Sequence, residues 1–218
     1  MVTLRLYGHP FSSYTWKALI PLYANATPFE FRAVGPEHPD NGAFVAAAHP
    51  AGKFPVLVDG ETTVIEATSI VEHLALNHRG EAPLIPADPT AAATARMLDR
   101  VFDNYVMGSA FRIVSAYLAN SANPDAAEVE GGKAGLRRVY RWLEEWLTAH
   151  SLPPHVSLVT CGAAPSLFYA DWVEPIPAEA PRLAALRTEL LALPAVARCV
   201  DEARPYRHFF PPGAPDRD

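Results

Sequence analysis

The stretch that most constrains the fold is residues 52–74, GKFPVLVDGETTVIEATSIVEHL. Two apolar runs, residues 55–58 and 62–65, flank the Asp-Gly pair at 59–60, which predicts a hairpin with a type I′ turn because both central residues need positive φ. Glu66 then precedes a helix, whose unpaired first N–H groups can bind an anion. The apolar face of this helix repeats at helical spacing through Ala67, Ile70, Val71, Leu74 and Ala75.

This stretch resembles the glutathione-binding half of the glutathione S-transferase family. The family pattern, roughly G-K-V-P-x-L-x-D-G followed by [E/D]-S-x-x-I, is matched at the right spacing by Gly52, Lys53, Phe54, Pro55, Leu57, Asp59, Gly60, Glu66, Ala67 and Ile70. In the family the proline is cis. The resemblance therefore predicts a cis bond before Pro55, although only about 5–6% of X–Pro bonds in folded proteins are cis.

The hydrophobic pattern before this stretch predicts two strands and two helices. The strands are expected at residues 3–7 and 29–34, and the helices at residues 12–24 and 42–48. Pro21 inside the first helix should kink it or end it early. The complete order, β-α-β-α-β-β-α, is thioredoxin-like, and a right-handed crossover would make the first two strands parallel.

A Pro-rich linker at residues 79–89 precedes a change to helix-forming residues. Asp88 before Pro89 fits the start of a helix. Ser157 opens a later, buried helix with a capping-box pattern in which Thr160 replaces the usual aspartate. The last eight residues are expected to be frayed. By resemblance, residues 1–79 form an α/β thioredoxin-like, glutathione-binding N-terminal domain, and residues 88–218 an all-α helical C-terminal domain for the second substrate and dimerisation, which is the glutathione S-transferase architecture.

Composition excludes several classes of protein. The chain has 218 residues, a net charge of −6 and no basic block, so no nucleic-acid partner is expected. No apolar run approaches the roughly 20 residues of a membrane span, so no membrane association is expected. The start leads directly into a strand pattern, which predicts a cytoplasmic protein. Cys161 and Cys199 have no metal-ligand spacing, so they are expected to be buried, reduced thiols, and no metal is expected.

The candidates for chemistry lie between the first strand and the first helix, in YGHPFSSYTWKAL. In serine-type transferases the catalytic serine precedes a basic residue by five positions, as Ser12 precedes Lys17. A thiol with a pKa of about 8.5 is little ionised at neutral pH, and a hydroxyl donor at the positive end of a helix favours the thiolate. The resemblance implies that Ser12 is catalytic, whereas the residues alone favour an ordinary cap of the first helix.

Other residues in this segment remain alternatives. Tyr7 lies where tyrosine-type members carry the catalytic phenol, but it also fits an aromatic residue packed in the core. Ser13 and Tyr14 are the next candidates if neither Ser12 nor Tyr7 acts. Since residues 1–79 contain no cysteine, the cysteine-type thiol transfer of omega-like members is disfavoured.

The resemblance assigns glutathione contacts to Ser12, His38, Lys53, Phe54, Glu66 and Ala67. Phe54 would exchange backbone hydrogen bonds with the cysteinyl unit, as an added strand does. Glu66 would accept from the γ-glutamyl ammonium. Lys53 and His38 would hold the glycyl carboxylate, although a surface lysine and a loop histidine are the alternatives.

Ala67 departs from the family pattern. The family usually carries serine or threonine here, and its hydroxyl holds the γ-glutamyl carboxylate. With alanine only the backbone N–H remains, which should weaken binding by about 1 kcal/mol or more. Thr68 is a candidate to compensate.

The second substrate would lie against the helical domain. An electrophile pocket is proposed from apolar and aromatic side chains, which fit core residues as well: Tyr105, Met107, Phe111 and Tyr169. The resemblance therefore implies a bacterial-type, serine-activated glutathione S-transferase (phi-, zeta- or theta-like) and homodimer, in which glutathione is a substrate whose thiolate attacks a small electrophile, as in detoxification.

Two alternatives remain open. One is a glutathione-dependent isomerase or dehalogenase, which the similarity of SSYTW to the zeta-class SSCSW favours. The missing cysteine counts against the isomerase. The other is a non-catalytic glutathione-transferase-like binding module, which Ala67 and Thr160 favour. Ser12, Lys53 and Glu66 count against that second alternative, because a scaffold does not need all three.

Overall fold

The structure is a computed structural model that describes residues 4–218, and a four-stranded mixed sheet organises its first half. The strands are β1 (Leu4–Gly8), β2 (Phe29–Ala33), β3 (Val56–Asp59) and β4 (Thr62–Ile65). They lie in the order β2-β1-β3-β4, with β1 parallel to β2 and the other pairs antiparallel. The thioredoxin-like order and the parallel first pair are thus confirmed. Thr3, predicted in the first strand, lies outside the described residues.

Three helices accompany the sheet: α1 (Ser13–Ala24), α2 (Pro39–Ala48) and α3 (Ala67–Asn77). α1 continues through Pro21 to Ala24, so the prediction that Pro21 ends this helix early is wrong. Every side chain from Thr15 to Leu22 is buried, and α1 packs against α3 and against two later helices, Leu158–Val173 and Pro194–Ala203. Burial on all sides outweighs the roughly 3 kcal/mol that an interior proline costs.

The β3–β4 turn differs from the prediction by one residue. Asp59 pairs with Thr62, so Gly60 and Glu61 form the turn. Only Gly60 has positive φ (60°), which fits a glycine at the first central position rather than a type I′ pair. Asp59 therefore belongs to the strand. The predicted cis bond between Phe54 and Pro55 is confirmed.

The second half is helical, as predicted. It contains α4 (Pro89–Val101), a π-helix (Phe102–Met107), α5 (Gly108–Ala119), α6 (Ala126–Ala149), α7 (Leu158–Val173), α8 (Pro181–Ala192), α9 (Pro194–Ala203) and a 3-10 helix (Arg204–Phe209). Ser157 caps α7, with its Oγ accepting from Thr160 N at 3.4 Å. Within residues 4–218, no helix combines the length and the apolar character that crossing a membrane requires.

The end of the chain is fixed rather than frayed, which corrects the prediction. Arg217 donates to the carboxylate and backbone carbonyl of Asp171 in α7. The Asp218 side chain pairs with Arg204 and Arg207 of the 3-10 helix. These charges hold the C-terminal segment against α7, beside the loop that follows β1.

Candidate active site

One edge of the sheet collects the predicted glutathione-binding residues. Tyr7 in β1 pairs with Val56 in β3, and Val56 pairs with Ile65 in β4. The same edge of the sheet therefore holds the loop after β1, Pro55 before β3 and Glu66 after β4. The starts of α1 and α3 both follow from this edge, so two sets of unpaired helix N–H groups lie there.

Ser12 is the N-cap of α1. Its Oγ accepts from Thr15 N at 3.3 Å, and its carbonyl accepts from Trp16 N at 3.0 Å. Because the cap uses only a lone pair of the hydroxyl, the hydroxyl proton remains available for another acceptor. Gly8 lets the end of β1 lie close to the first turn of α1, since a Cβ at Gly8 would lie 2.6 Å from Thr15 Cγ2. The cap and a role as donor to a thiolate are thus compatible in one side chain.

The other hydroxyls near Ser12 have different surroundings. Ser13 Oγ lies 3.6 Å from Met107 Sδ in the π-helix, which makes that thioether its acceptor. Burial, followed by the charge of Asp103, raises the pKa of Tyr14 to about 12, so its phenol is protonated at neutral pH. Tyr7 is buried and stacks on Phe44, with ring centroids 4.3 Å apart.

His9 lies between β1 and α1 in a half-buried position. Its Nδ1 accepts from Phe11 N at 3.1 Å, and its ring meets Tyr206 of the 3-10 helix edge-on at 4.9 Å. Burial lowers the pKa of His9, which favours a neutral imidazole with its proton on Nε2. The C-terminal segment thus covers part of this loop.

The four residues proposed for the electrophile pocket do not lie together. Met107 is buried against Ser13, and Tyr169 is buried with its hydroxyl donating to Phe11 O at 2.8 Å. Tyr105 and Phe111, in contrast, are 60% and 52% exposed. Met107 and Tyr169 therefore reach the loop before α1, whereas the other two face solvent.

Tyr105 lines a different cavity. That cavity lies between the π-helix, α5 and α6, and its lining residues are Val101, Tyr105, Ser109, Gly135, Arg138, Val139 and Trp142. Ser12, Met107 and Tyr169 are not among them. Residue type made Tyr105 a candidate for the pocket, but it could not say which residues would surround its side chain.

Glu66 has a backbone conformation that is uncommon for a residue with a side chain. Its φ is 68°, and its side chain is 70% exposed at the start of α3 without capping that helix. The α3 N–H groups are therefore left for another acceptor. His49 Nε2 lies 3.4 Å from Glu66 Oε1, and His49 Nδ1 accepts from Ala51 N at 3.0 Å. The second contact leaves the proton on Nε2, facing Glu66.

Sequence reasoning missed His49. It ends α2 as the C-cap and is 7% exposed. Its contact with Glu66 joins residues 17 positions apart and depends on the unusual backbone of Glu66, so periodicity gave no signal. The available hint was a histidine directly before Pro50, in the loop that leads to the cis bond.

Ala67 and Thr68 differ from the expected arrangement. Ala67 is buried, so its methyl group supplies no donor. The Thr68 hydroxyl accepts from Lys17 Nζ at 2.8 Å and donates to Asp99 Oδ2 at 2.9 Å. Because these contacts direct it toward the helical half, Thr68 does not replace the missing hydroxyl at position 67 in this structure.

The remaining predicted contacts lie on the open side of this edge. Lys53 and His38 are exposed, and Phe54 is half-buried beside the cis bond. His38 is the N-cap residue of α2, with no side-chain capping hydrogen bond. Lys53 and Phe54 lead into the buried run that begins at Pro55, whereas His38 precedes α2, in which only Val45 is buried. Both basic side chains reach solvent.

A buried charge network joins the two halves behind Ser12. Lys17 Nζ lies 2.6 Å from Asp99 Oδ1 and 2.7 Å from Asp103 Oδ2. Arg100 Nη2 also lies 2.9 Å from Asp103 Oδ2 and contacts Thr68 and Asp99. Burial raises the pKa of Asp103, an effect that Lys17 opposes. Lys17 therefore fixes α1, which begins at Ser12, against α4 and the π-helix.

The two cysteines are free and buried, as predicted. Burial raises the pKa of both the Cys161 and the Cys199 thiol. A buried thiol with a raised pKa is a poor nucleophile, because the thiolate is the reactive form. Both therefore behave as core residues of α7 and α9.

Comparison with known sequences points to one family. A family model described as the N-terminal domain of glutathione S-transferase matches residues 6–82. A glutathione S-transferase of Silene vulgaris is 32% identical over 82 residues, which are 35% of this chain and 36% of that protein. The match thus spans about a third of that curated relative. The residues that the family model matches include Ser12, the cis bond before Pro55 and Glu66.

Solved structures extend the similarity over the helical half. The apo form of glutathione S-transferase III is 25% identical, with a TM-score of 0.76, over 91% of this chain and 96% of that one. A glutathione S-transferase from Methylobacterium radiotolerans, solved in complex with glutathione sulfonate, has 24% identity and a TM-score of 0.76 over 91% and 94% of the two chains. Because its identity is only 24%, the second similarity supports the fold alone.

Proposed function

The chain belongs to the glutathione S-transferase family, and we propose that it is a serine-activated glutathione transferase. In this proposal the Ser12 hydroxyl donates a hydrogen bond to the sulfur of bound glutathione. The thiolate then attacks a small electrophile and forms a carbon–sulfur bond, while the leaving group departs or a double bond takes up the electron pair. The thiol proton passes to solvent.

The placement of Ser12 carries the proposal. Its hydroxyl caps α1 at the sheet edge where the cis bond and Glu66 also lie, and its proton is free to be donated. A donor at the positive end of a helix stabilises a thiolate more than a thiol. Lys17 holds this helix in position without reaching the edge, since its ammonium group is buried.

Glutathione fits this edge by its chemistry. The backbone of Phe54 pairs with the cysteinyl unit as an added strand, and Glu66 accepts from the γ-glutamyl ammonium. The γ-glutamyl carboxylate meets the uncapped N–H groups of α3. Lys53 and His38 hold the glycyl carboxylate from the open side. The structure from Methylobacterium radiotolerans was solved in complex with glutathione sulfonate, which supports glutathione as the kind of ligand but says nothing of the individual contacts.

We assign Met107 and Tyr169 to the electrophile side of the site. Both contact the loop and helix that carry Ser12, one through Ser13 and the other through Phe11. Tyr105 and Phe111 suit another role because they are exposed.

That other role is a homodimer interface. Several large apolar side chains are exposed on α4, the π-helix, α5 and α6: Met97, Tyr105, Phe111, Leu118 and Trp142. Tyr105 and Trp142 also line one cavity. Exposed apolar patches of this kind mark protein contacts. Two free, buried cysteines suit a reducing compartment, which supports the cytoplasmic assignment.

The test combines binding and turnover. The protein is applied to immobilised glutathione and assayed for conjugation of an aryl halide, beside Ser12→Ala and Glu66→Ala. The proposal predicts retention and turnover for the wild type, retention without normal turnover for Ser12→Ala, and weak retention for Glu66→Ala. A wild type that neither binds nor reacts contradicts the proposal.

One observation favours the non-catalytic alternative. With alanine at position 67 and the Thr68 hydroxyl engaged by Lys17 and Asp99, the γ-glutamyl carboxylate has no side-chain hydroxyl donor. Weak glutathione binding would suit a module whose partner is another protein. Glutathione binding without turnover of any electrophile in a screen would support that alternative.

A further inference from the structure

Three metal-ligand side chains meet at the end of the sheet opposite Ser12. Asp59 ends β3, His73 lies in the last part of α3, and His78 follows that helix as its C-cap. Asp59 Oδ2 lies 2.9 Å from His73 Nε2 and 2.7 Å from His78 Nε2. The three ligand atoms all lie within 4.8 Å of one another, and each side chain is partly exposed.

The fold brings these residues together in a way that spacing does not predict. On a continuous helix, residues five positions apart point about 140° away from each other. His78 has φ −133° and ψ 59°, so the chain leaves the helix there and its ring returns to the side of His73. The hairpin then places Asp59 between the two rings, because Asp59 remains in β3.

We propose that Asp59, His73 and His78 bind a divalent transition-metal ion, with Zn²⁺ as the best match. Imidazole with a carboxylate suits zinc, whereas Mg²⁺ prefers oxygen ligands alone. Tetrahedral zinc with bonds of about 2.0–2.1 Å sets neighbouring ligand atoms roughly 3.3 Å apart. The observed separations of 2.9 and 2.7 Å need an opening of a few tenths of an ångström. Water completes the fourth position.

The neighbouring Asn77 has to change its contacts when a metal binds. Its Nδ2 lies 3.2 Å from His73 Nδ1 and 3.1 Å from His73 O. When a metal binds Nε2, the neutral imidazole carries its proton on Nδ1, and metal-bound histidines normally donate that proton to a nearby acceptor. The Asn77 amide has to turn and present its oxygen.

The ion would connect β3 to the end of α3, far from the edge that carries Ser12. It would therefore stabilise the thioredoxin-like domain without taking part in the proposed transfer reaction. Zinc binding and thermal stability are consequently the appropriate measurements, and both are independent of glutathione.

The experiment titrates the full chain with ZnCl₂ by calorimetry in a non-chelating buffer, with MgCl₂ as the comparison. The variants are His73→Gln, His78→Gln and Asp59→Asn, and the matched control is His150→Gln. His150 is an exposed histidine that stacks on Trp146, so its removal leaves the cluster intact. Circular dichroism confirms that each variant is folded.

The proposal predicts one Zn²⁺ per chain for the wild type and the control, with a higher melting temperature in zinc. Each cluster variant should bind zinc more than a hundredfold more weakly and lose the shift, because removal of an outer partner alone costs about 10–100-fold in metal affinity. Wild-type stoichiometry well below one, or unchanged affinity in folded His73→Gln and His78→Gln, overturns it. If the cluster variants are unfolded, the wild-type stoichiometry and its comparison with His150→Gln decide the question. One Zn²⁺ per chain in both proteins supports the proposal, and a wild-type stoichiometry well below one overturns it.

Discussion

Lys17 Nζ in α1 lies 2.6 Å from Asp99 Oδ1 in α4, and the two side chains are 1% and 0% exposed. Asp103 is the second partner of the same ammonium group, at 2.7 Å. The pair joins the thioredoxin-like domain to the helical region directly behind the helix that Ser12 caps. Its main consequence is that α1 cannot shift relative to α4 without separating buried charges.

Replacing Lys17 by methionine should therefore destabilise the protein strongly. Without Lys17, the carboxylates of Asp99 and Asp103 keep only the half-exposed Arg100 as a cationic partner among residues 4–218, and breaking a buried ion pair costs about 3–5 kcal/mol. Urea denaturation with linear extrapolation measures the change in the free energy of unfolding. The matched control is Arg96→Met, because Arg96 and Glu72 form a largely exposed pair between α3 and α4 worth about 0–1 kcal/mol. Equal losses in the two variants would show that the Lys17 network is not what joins the halves.

Ala67→Ser should tighten glutathione binding. The new hydroxyl gives the γ-glutamyl carboxylate a donor that the Thr68 hydroxyl does not supply, since Lys17 and Asp99 engage it. A gain of about 1 kcal/mol, or roughly fivefold in Kd, is expected from one such hydrogen bond. Titration calorimetry on both proteins checks this, with Ala67→Gly as the control for backbone effects. An affinity that is unchanged or lower in Ala67→Ser would mean that the backbone donors already satisfy the carboxylate.

The contact between His49 and Glu66 predicts coupling between these residues in glutathione binding. His49 Nε2 donates toward Glu66 Oε1 and holds a carboxylate that is otherwise exposed. His49→Ala should weaken binding by about 0.5–1.5 kcal/mol. In a Glu66→Ala background the same substitution should have little further effect. A double-mutant cycle measured by calorimetry checks the coupling, and additive losses would show that His49 acts on glutathione by another route.

Local patterns predicted those parts of the fold that local chemistry decides. The helix after Glu66 and the helix start at Ser157 each depend on residues within one short stretch. The cis bond at Pro55 was predicted by the family resemblance, since local chemistry alone favours the trans form. The edge of the sheet that carries the candidate site followed from these elements, because the strand, turn and helix of one motif determine one another's positions. The sequence placed Ser12 at the start of α1. It could not decide whether the Ser12 hydroxyl only caps this helix, through Thr15 N, or also acts in catalysis.

Contacts between distant residues were not predictable in the same way. Lys17 meets Asp99 across more than 80 positions, and Arg217 reaches Asp171 from a tail that composition marked as frayed. Pro21 also stays within α1, because tertiary burial outweighs a local preference. In each case the outcome depends on which faces of the two halves meet, and periodicity in one segment carries no information about the partner.

The central claim is that the Ser12 hydroxyl stabilises the glutathione thiolate. Ser12→Ala also removes a helix cap worth about 1 kcal/mol, so Ser157→Ala, which loses the equivalent cap of α7, is the matched control. Tyr7→Phe tests the rival phenol, which is packed against Phe44.

The most direct measurement is the pH dependence of kcat and kcat/KM for conjugation of an aryl halide by these four proteins. Ser12→Ala should lower kcat far more than it changes the KM for glutathione, since the hydroxyl is needed chiefly by the thiolate. Its profile should move to higher pH, because the bound thiol loses a donor that lowers its pKa. Ser157→Ala and Tyr7→Phe should keep the wild-type profile. A Ser12→Ala profile that matches the wild type, or loss of turnover in Tyr7→Phe alone, would contradict the account.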